Sequence, residues 1–199
     1  MNADRLRAAY EAVQSEAGDG VTVVVATKYV TVADMAVLAE AGVEVVGENR
    51  AQDLQGKHDV YGDAFRWHFI GHLQSNKARL VNEICELVHS VDSDTTARRL
   101  TVPMLLEVNL GGEPSKAGVA PEDVAAYVRR YPSIRGLMTM PPLATDPEES
   151  RPWFRRLRQL AEAVGVTELS MGTSQDWHVA VEEGATLIRV GSALFRDRS

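Results

Sequence analysis

The chain has 199 residues, 45 % hydrophobic and 25 % charged, with a formal net charge of −7. Those proportions suit a globular protein with one substantial core, and the negative charge excludes a molecule drawn as a whole to nucleic acid or to an anionic membrane. The single cysteine, Cys85, excludes an internal disulfide and fits a reducing, cytoplasmic setting; no signal peptide is expected from the acidic N-terminal stretch, and no segment approaches the roughly 20 apolar residues of a membrane span.

Asn2–Glu16 reads as an amphipathic helix. The β-branched run Val21-Thr-Val-Val-Val-Ala-Thr27 follows as a buried strand, and it ends in Lys28, a long cation where a turn residue is the usual choice. Thr31, with Asp34 three residues on, opens a helix that Gly42 closes. Further strand-like runs lie at Val43–Gly47, Trp67–Gly71, Leu87–Val91, Met104–Asn109, Gly136–Met140, Glu168–Met171 and Thr186–Val190. Cys85 falls in the apolar helix pattern Leu80-Val-Asn-Glu-Ile-Cys85 and reads as a buried thiol. Pro121 with Glu122 and Asp123 starts a helix that Pro132 stops. Asp146-Pro-Glu-Glu149 starts another, closed by Gly165, in which Arg155-Arg-Leu-Arg158 reads as a solvated face. Ser174 precedes a helix over Asp176–Glu183 that ends at Gly184.

Most of the strands are continuous apolar runs, the pattern of parallel strands covered on both faces. Eight strand–helix alternations predict a single-domain (β/α)8 barrel over residues 1–199, with an open doubly wound sheet as the alternative. No Gly-x-Gly-x-x-Gly turn follows the first strand, which argues against a dinucleotide site. Between Val91 and Met104 there is room only for a very short helix, unless residues are missing from that segment.

In such barrels the chemistry sits at the C-terminal ends of the strands. Here those ends carry Lys28, Glu48-Asn49, His72, Asp92, Asn109, Thr139-Met140, Gly172-Thr-Ser174 and Gly191-Ser192. The loops after the last two strands, Met171-Gly-Thr-Ser174 and Val190-Gly-Ser192, offer the small and hydroxyl residues of a phosphate site, where glycine lets the backbone approach an anion closely. A lysine amine at the mouth of a core strand is suited to a Schiff base with an aldehyde. An aldehyde and a phosphate on one ligand suggest pyridoxal 5′-phosphate (PLP).

Arg189 shares a strand face with Leu187 and Gly191. If that face is inward, the guanidinium needs an acceptor such as a pyridine nitrogen, which it would leave unprotonated. If it is outward, a helix carboxylate serves. Asn49 either bonds the cofactor ring or caps the next helix. Lys116 is either a second amine near the mouth or a solvated loop lysine. His68 and His72 fall on a strand and a turn, where a spacing of four does not make a metal pair, so no metal is expected and His68 is read as packing.

Ala26-Thr-Lys28, Gly47-Glu-Asn-Arg50, His68-Phe-Ile-Gly-His-Leu-Gln-Ser-Asn-Lys77, Glu107-Val-Asn109, Ser115-Lys-Ala-Gly118, Arg135-Gly-Leu-Met138, Leu169-Ser-Met-Gly172 with Ser174 and Asp176, and Arg189-Val-Gly-Ser192 run in order along nearly the whole chain. In these stretches the sequence resembles the PLP-binding homeostasis proteins of the YggS/PROSC type. The resemblance implies a barrel like the N-terminal domain of alanine racemase, with PLP as a Schiff base on Lys28. It also implies Arg189 at the pyridine nitrogen and Ser174, Gly191 and Ser192 around the phosphate. Together with Asn49, Met171 and Gly172 these form the expected cofactor site, with no catalytic residue assigned. The implied role is to buffer PLP and pass it to apo-enzymes, as a monomer and without established turnover.

The sequence also departs from that pattern. Val30 stands where many relatives carry a second lysine, Thr173 where they often have methionine, and Phe195-Arg196 where they have Phe-Gly; the segment after Arg99 is shorter than usual. The alternatives are a PLP-dependent amino-acid racemase, whose relatives add a β-rich domain not expected here, and a phosphosugar barrel enzyme that uses Lys28 on another carbonyl.

Overall fold

The computed structural model describes residues 2–113 and 117–195. Eight parallel strands follow one another in chain order and close into a barrel. They are β1 (Thr22–Ala26), β2 (Val45–Glu48), β3 (Arg66–Phe69), β4 (Leu87–Val91), β5 (Met104–Glu107), β6 (Ile134–Met138), β7 (Glu168–Thr173) and β8 (Leu187–Val190). Closure is made by β1 against β8, in register from Thr22 opposite Leu187 to Val25 opposite Val190. The barrel expectation therefore holds and the open sheet does not.

The helices are α1 (Ala3–Ala17), α2 (Met35–Glu40), α3 (Ala51–Tyr61), α4 (Ala78–Ile84), α5 (Asp94–Ala97), α6 (Val124–Arg130), α7 (Arg151–Val164), α8 (Trp177–Glu182) and α9 (Ser192–Phe195). Strand alternation splits the apolar residues into two cores. Val24, Val45, Leu87, Leu105, Met138 and Leu187 fill the barrel interior. A larger cluster, including Leu6, Leu54, Phe154 and Leu157, lies between the sheet and the helices. Burial on both faces is why the strands read as unbroken apolar runs.

Several strand ends differ from the sequence reading by a few residues, and at β6 the local reason is plain. β6 begins at Ile134, which pairs with Met104, and ends at Met138. Pro141 and Pro142 follow closely, and without backbone N–H groups they cannot extend a ladder. The tight stretch between β4 and β5 is spanned by the single turn of α5, with Ser93 Oγ accepting from the Thr96 N–H at 3.4 Å. Val88 pairs with Met104 and Val91 with Leu106, with a register shift between the two pairs, so the barrel stays continuous across it.

The arginines of α7 are not simply solvated. Arg151, Arg155 and Arg158 converge on the buried Glu183 carboxylate at 3.2, 2.8 and 3.4 Å. They draw that carboxyl below its ordinary range, the Arg155 hydrogen bond being the largest cause. The cluster ties α7 to the end of α8 and so to the start of β8. Among the described residues no helix is long and apolar enough to cross a membrane.

Candidate functional site

The C-terminal ends of β1, β2, β7 and β8 surround a cavity of about 860 Å³. Lys28, Asn49, Ser174, Arg189, Gly191 and Ser192 all line it.

Lys28 and Asn49 are the residues that follow a buried polar clamp. Glu48 is wholly buried and points away from the barrel axis, where the buried Lys57 of α3 forms an ion pair with it. The Lys57 amine also donates to the Thr27 carbonyl at 2.8 Å, and the Thr27 hydroxyl donates to Glu48 Oε1 at 2.6 Å. The second carboxylate oxygen accepts from the Asn49 N–H at 3.2 Å. Both charges are thus satisfied within one network that fastens the tips of β1 and β2 to each other. Beyond the clamp Lys28 is exposed, its amine 4.7 Å from the centre of the Tyr29 ring.

Asn49 is held from the other side by Gly71. A Cβ at position 71 would lie 2.2 Å from the Asn49 carbonyl oxygen, so the close approach requires glycine. The Asn49 Oδ1 atom is buried and has no hydrogen-bond partner. An unsatisfied buried acceptor is costly, and here it lies in a residue that lines the cavity.

Arg189 points inward and is buried. Nη1 donates to the Ser170 carbonyl at 3.0 Å and to the Ser170 hydroxyl at 2.5 Å. Nη2 donates to the Thr139 carbonyl at 3.1 Å and to the Met140 sulfur at 2.9 Å. Every one of these acceptors is neutral, and Nε takes part in none of the bonds. Burial pushes the guanidinium pKa down to about 10, against the pull of Glu107 and Asp176, so the group stays cationic at neutral pH.

Behind Ser170 the barrel axis is polar. Ser170 Oγ lies 2.7 Å from His89 Nδ1, and His89 Nε2 lies 3.0 Å from His68 Nδ1. Burial lowers His68 to about 4, with Arg66 contributing. Burial also lowers His89 well below the usual imidazole range, with help from His68 and Arg189. Both rings are neutral at neutral pH.

After β8 the Gly191 and Ala193 N–H groups donate to the Ser174 hydroxyl oxygen, at 3.0 and 3.1 Å. With two donors on its lone pairs, that hydroxyl has its own hydrogen left to give to an anion. Ser192, at the start of α9, is exposed beside it.

Met171 and Gly172 do not line the cavity. The register of β7 against β8 shifts between Ser170 and Thr173. The Met171 side chain is fully buried in the cluster under the helices. Gly172 has φ +89°, and a Cβ there would come within 2.6 Å of Ala180 and 2.9 Å of Trp177. These two residues shape the loop that presents Ser174. His72 is exposed and lies 3.0 Å from Asp92. Asn109 lines a smaller neighbouring cavity with Glu107 and Trp153. Lys116 lies outside the described residues.

Tyr29 and Gln175 also line the cavity and were not singled out from the sequence. Lys57 was missed as well. It follows Ala51 and Leu54 at spacings of three along the buried stripe of α3, so a cation on that stripe was the available signal.

No family model matches the chain. Among curated proteins, the chain is 40 % identical over 178 residues to the pyridoxal phosphate homeostasis protein of Aquifex aeolicus, covering 79 % of this chain and 78 % of that protein. It is 42 % identical over 175 residues to the protein of the same name from Pseudomonas aeruginosa, covering 79 % and 76 %. Among solved structures, PipY of Synechococcus elongatus with PLP bound superposes with a TM-score of 0.86 at 34 % identity, covering 96 % of this chain and all of that one. Alanine racemase from Corynebacterium glutamicum gives a TM-score of 0.76 at 14 % identity, covering 98 % of this chain and 61 % of that one, a likeness of fold.

Proposed function

The chain belongs to the pyridoxal phosphate homeostasis protein family, and we propose that it binds PLP at the barrel mouth, carries it as a Schiff base on Lys28 and takes part in holding and distributing PLP in the cytoplasm. One observation carries the reading. A lysine, an asparagine whose amide oxygen is unsatisfied, an arginine bonded only to neutral acceptors and a serine hydroxyl loaded with two N–H donors line a single cavity. These are four kinds of group that an aromatic aldehyde bearing a ring nitrogen, a phenol and a phosphate would engage.

PLP supplies an electrophilic aldehyde carbon and, where its ring nitrogen is protonated, an electron sink. The residues divide the binding accordingly. The Lys28 amine would take the aldehyde carbon as a C=N bond, the aldehyde oxygen leaving as water. Asn49, lining the same cavity, would meet the ring oxygen through its side-chain amide N–H. Ser174, Gly191 and Ser192 receive the phosphate. Arg189 donates to the ring nitrogen and keeps its own proton. A ring nitrogen that only accepts is a weaker electron sink than a protonated one. Burial pushes the Cys85 thiol up to about 12, leaving it unreactive. We take the protein to be a monomer, which light scattering after size exclusion checks.

The test is chemical. Protein mixed with PLP is expected to absorb in the near-visible region, and borohydride is expected to fix the cofactor on the peptide containing Lys28. Lys28→Ala removes the adduct completely. An adduct on another lysine, or none on the parent protein, overturns the reading. Chiral analysis of amino acids incubated with the loaded protein is expected to show no racemization, and an apo-enzyme is expected to gain activity from it.

A further inference from the structure

His68 and His89 are used by nothing in the binding scheme above, yet they occupy the axis of the barrel and are almost completely buried. Their hydrogens can be ordered from the top down. A guanidinium only donates, so the bond from Arg189 Nη1 takes a lone pair of Ser170 Oγ. Ser170 is wholly buried, and its hydroxyl hydrogen needs an acceptor. His89 Nδ1, at 2.7 Å, supplies it. A neutral His89 that accepts at Nδ1 carries its hydrogen on Nε2 and donates it to His68 Nδ1, at 3.0 Å. His68 in turn carries its hydrogen on Nε2. It lines a cavity of about 320 Å³ at the opposite end of the barrel, with Thr22, Arg66 and Leu187. The reverse order would have His68 donate to His89 and His89 donate to Ser170. It would leave the Ser170 hydroxyl hydrogen buried without an acceptor among the bonds observed.

We infer that Ser170 and His89 are positioning residues for Arg189, the top of a one-way hydrogen-bonded column whose donors all run from the mouth toward the floor of the barrel; its effect on the ligand rests on the PLP reading, and its proton order rests on geometry alone. The column cannot pass a proton through, because the arginine at its head does not release one. Its work is to fix the guanidinium so that the edge lining the cavity meets the ligand in one orientation. A neighbouring carboxylate would do the same at the expense of the positive charge.

Nitrogen-15 NMR of the protein without PLP, at neutral pH, reads the tautomers directly. His68 and His89 are both expected with the hydrogen on Nε2. Ser170→Ala removes only the hydroxyl, and it is expected to let His89 adopt both tautomers and to lower the melting temperature by a few degrees, the cost of one buried ring nitrogen left unpaired. In PLP-loaded protein, Ser170→Ala and His89→Leu are expected to release the cofactor about fivefold to tenfold faster, the equivalent of about one hydrogen bond. Borohydride should still fix it on Lys28. A hydrogen on Nδ1 of either histidine in the parent protein overturns the column. So does release from both variants at the parent rate. A parent protein that takes up no PLP, yet shows both hydrogens on Nε2, upholds the proton order and overturns the PLP reading instead.

Discussion

Lys57 and Arg189 are both buried cations, one outside the barrel wall and one inside it, and their surroundings differ in kind. Lys57 has a carboxylate, Glu48, and a carbonyl, and the charges cancel on the spot. Arg189 has two carbonyls, a hydroxyl and a thioether. Its geometry is fixed while its charge is left standing, and the cavity shares that residue as a wall. The lesson is that burial alone does not mark a functional cation. What matters is whether the protein pairs the cation directly with a carboxylate or holds it on neutral acceptors beside a cavity.

The most severe way to test the contrast is Glu48→Gln, which strands Lys57 against a neutral amide. A loss of about 3–5 kcal/mol in urea unfolding is expected; a loss below about 1 kcal/mol would mean the clamp is not charged in the way its geometry implies. Acid probes the Arg189 side through its two imidazoles. Their folded pKa values lie below the unfolded value near 6.5, with His68 at about 4. Unfolded chains therefore bind more protons there, and stability should fall as pH drops from about 6.5 to 4, by about 3 kcal/mol for His68 alone. Glu107 works the other way. Its folded pKa is raised by burial and then by Asp92, so its contribution is present in acid and lost as pH rises. A stability curve flat from pH 6.5 to 4.5 would contradict the neutral column.

Arg189→Met should cost less than the clamp, about 1–3 kcal/mol for carbonyls left unsatisfied, while PLP retention falls by at least about tenfold. Equal losses of stability at the two cations would erase the distinction between them. Asn49→Ala is the mildest case. With no partner to lose at Oδ1, stability should move by less than about 0.5 kcal/mol, and PLP affinity should drop severalfold. A large loss of stability there would show that the amide oxygen has a structural partner.

The strands were legible because two-sided burial writes itself as unbroken apolar runs, and the mouth was legible because parallel barrels expose the same end of every strand. Lys28, Ser174, Gly191 and Ser192 follow from that rule. Neither Lys57 nor the axial column does. Lys57 meets Glu48 only when α3 folds back on β2. His89 meets Ser170 across 81 positions of chain, which needs closure of the whole sheet. The direction of Arg189 was undecided for the same reason. Met171 turns to the helix-side core rather than the cavity because β7 slips register against β8 between Ser170 and Thr173, and no periodicity reveals a slip.

Position 71 carries a consequence for how this sequence is able to vary. A single methyl group there would land 2.2 Å from the Asn49 carbonyl, so even the gentlest replacement would lever the tip of β2 away from β3 and swing the Asn49 amide out of line with Lys28. One letter of the alphabet is permitted at that point, and the alignment of two strand tips on which the cavity depends is secured by an atom that is not there.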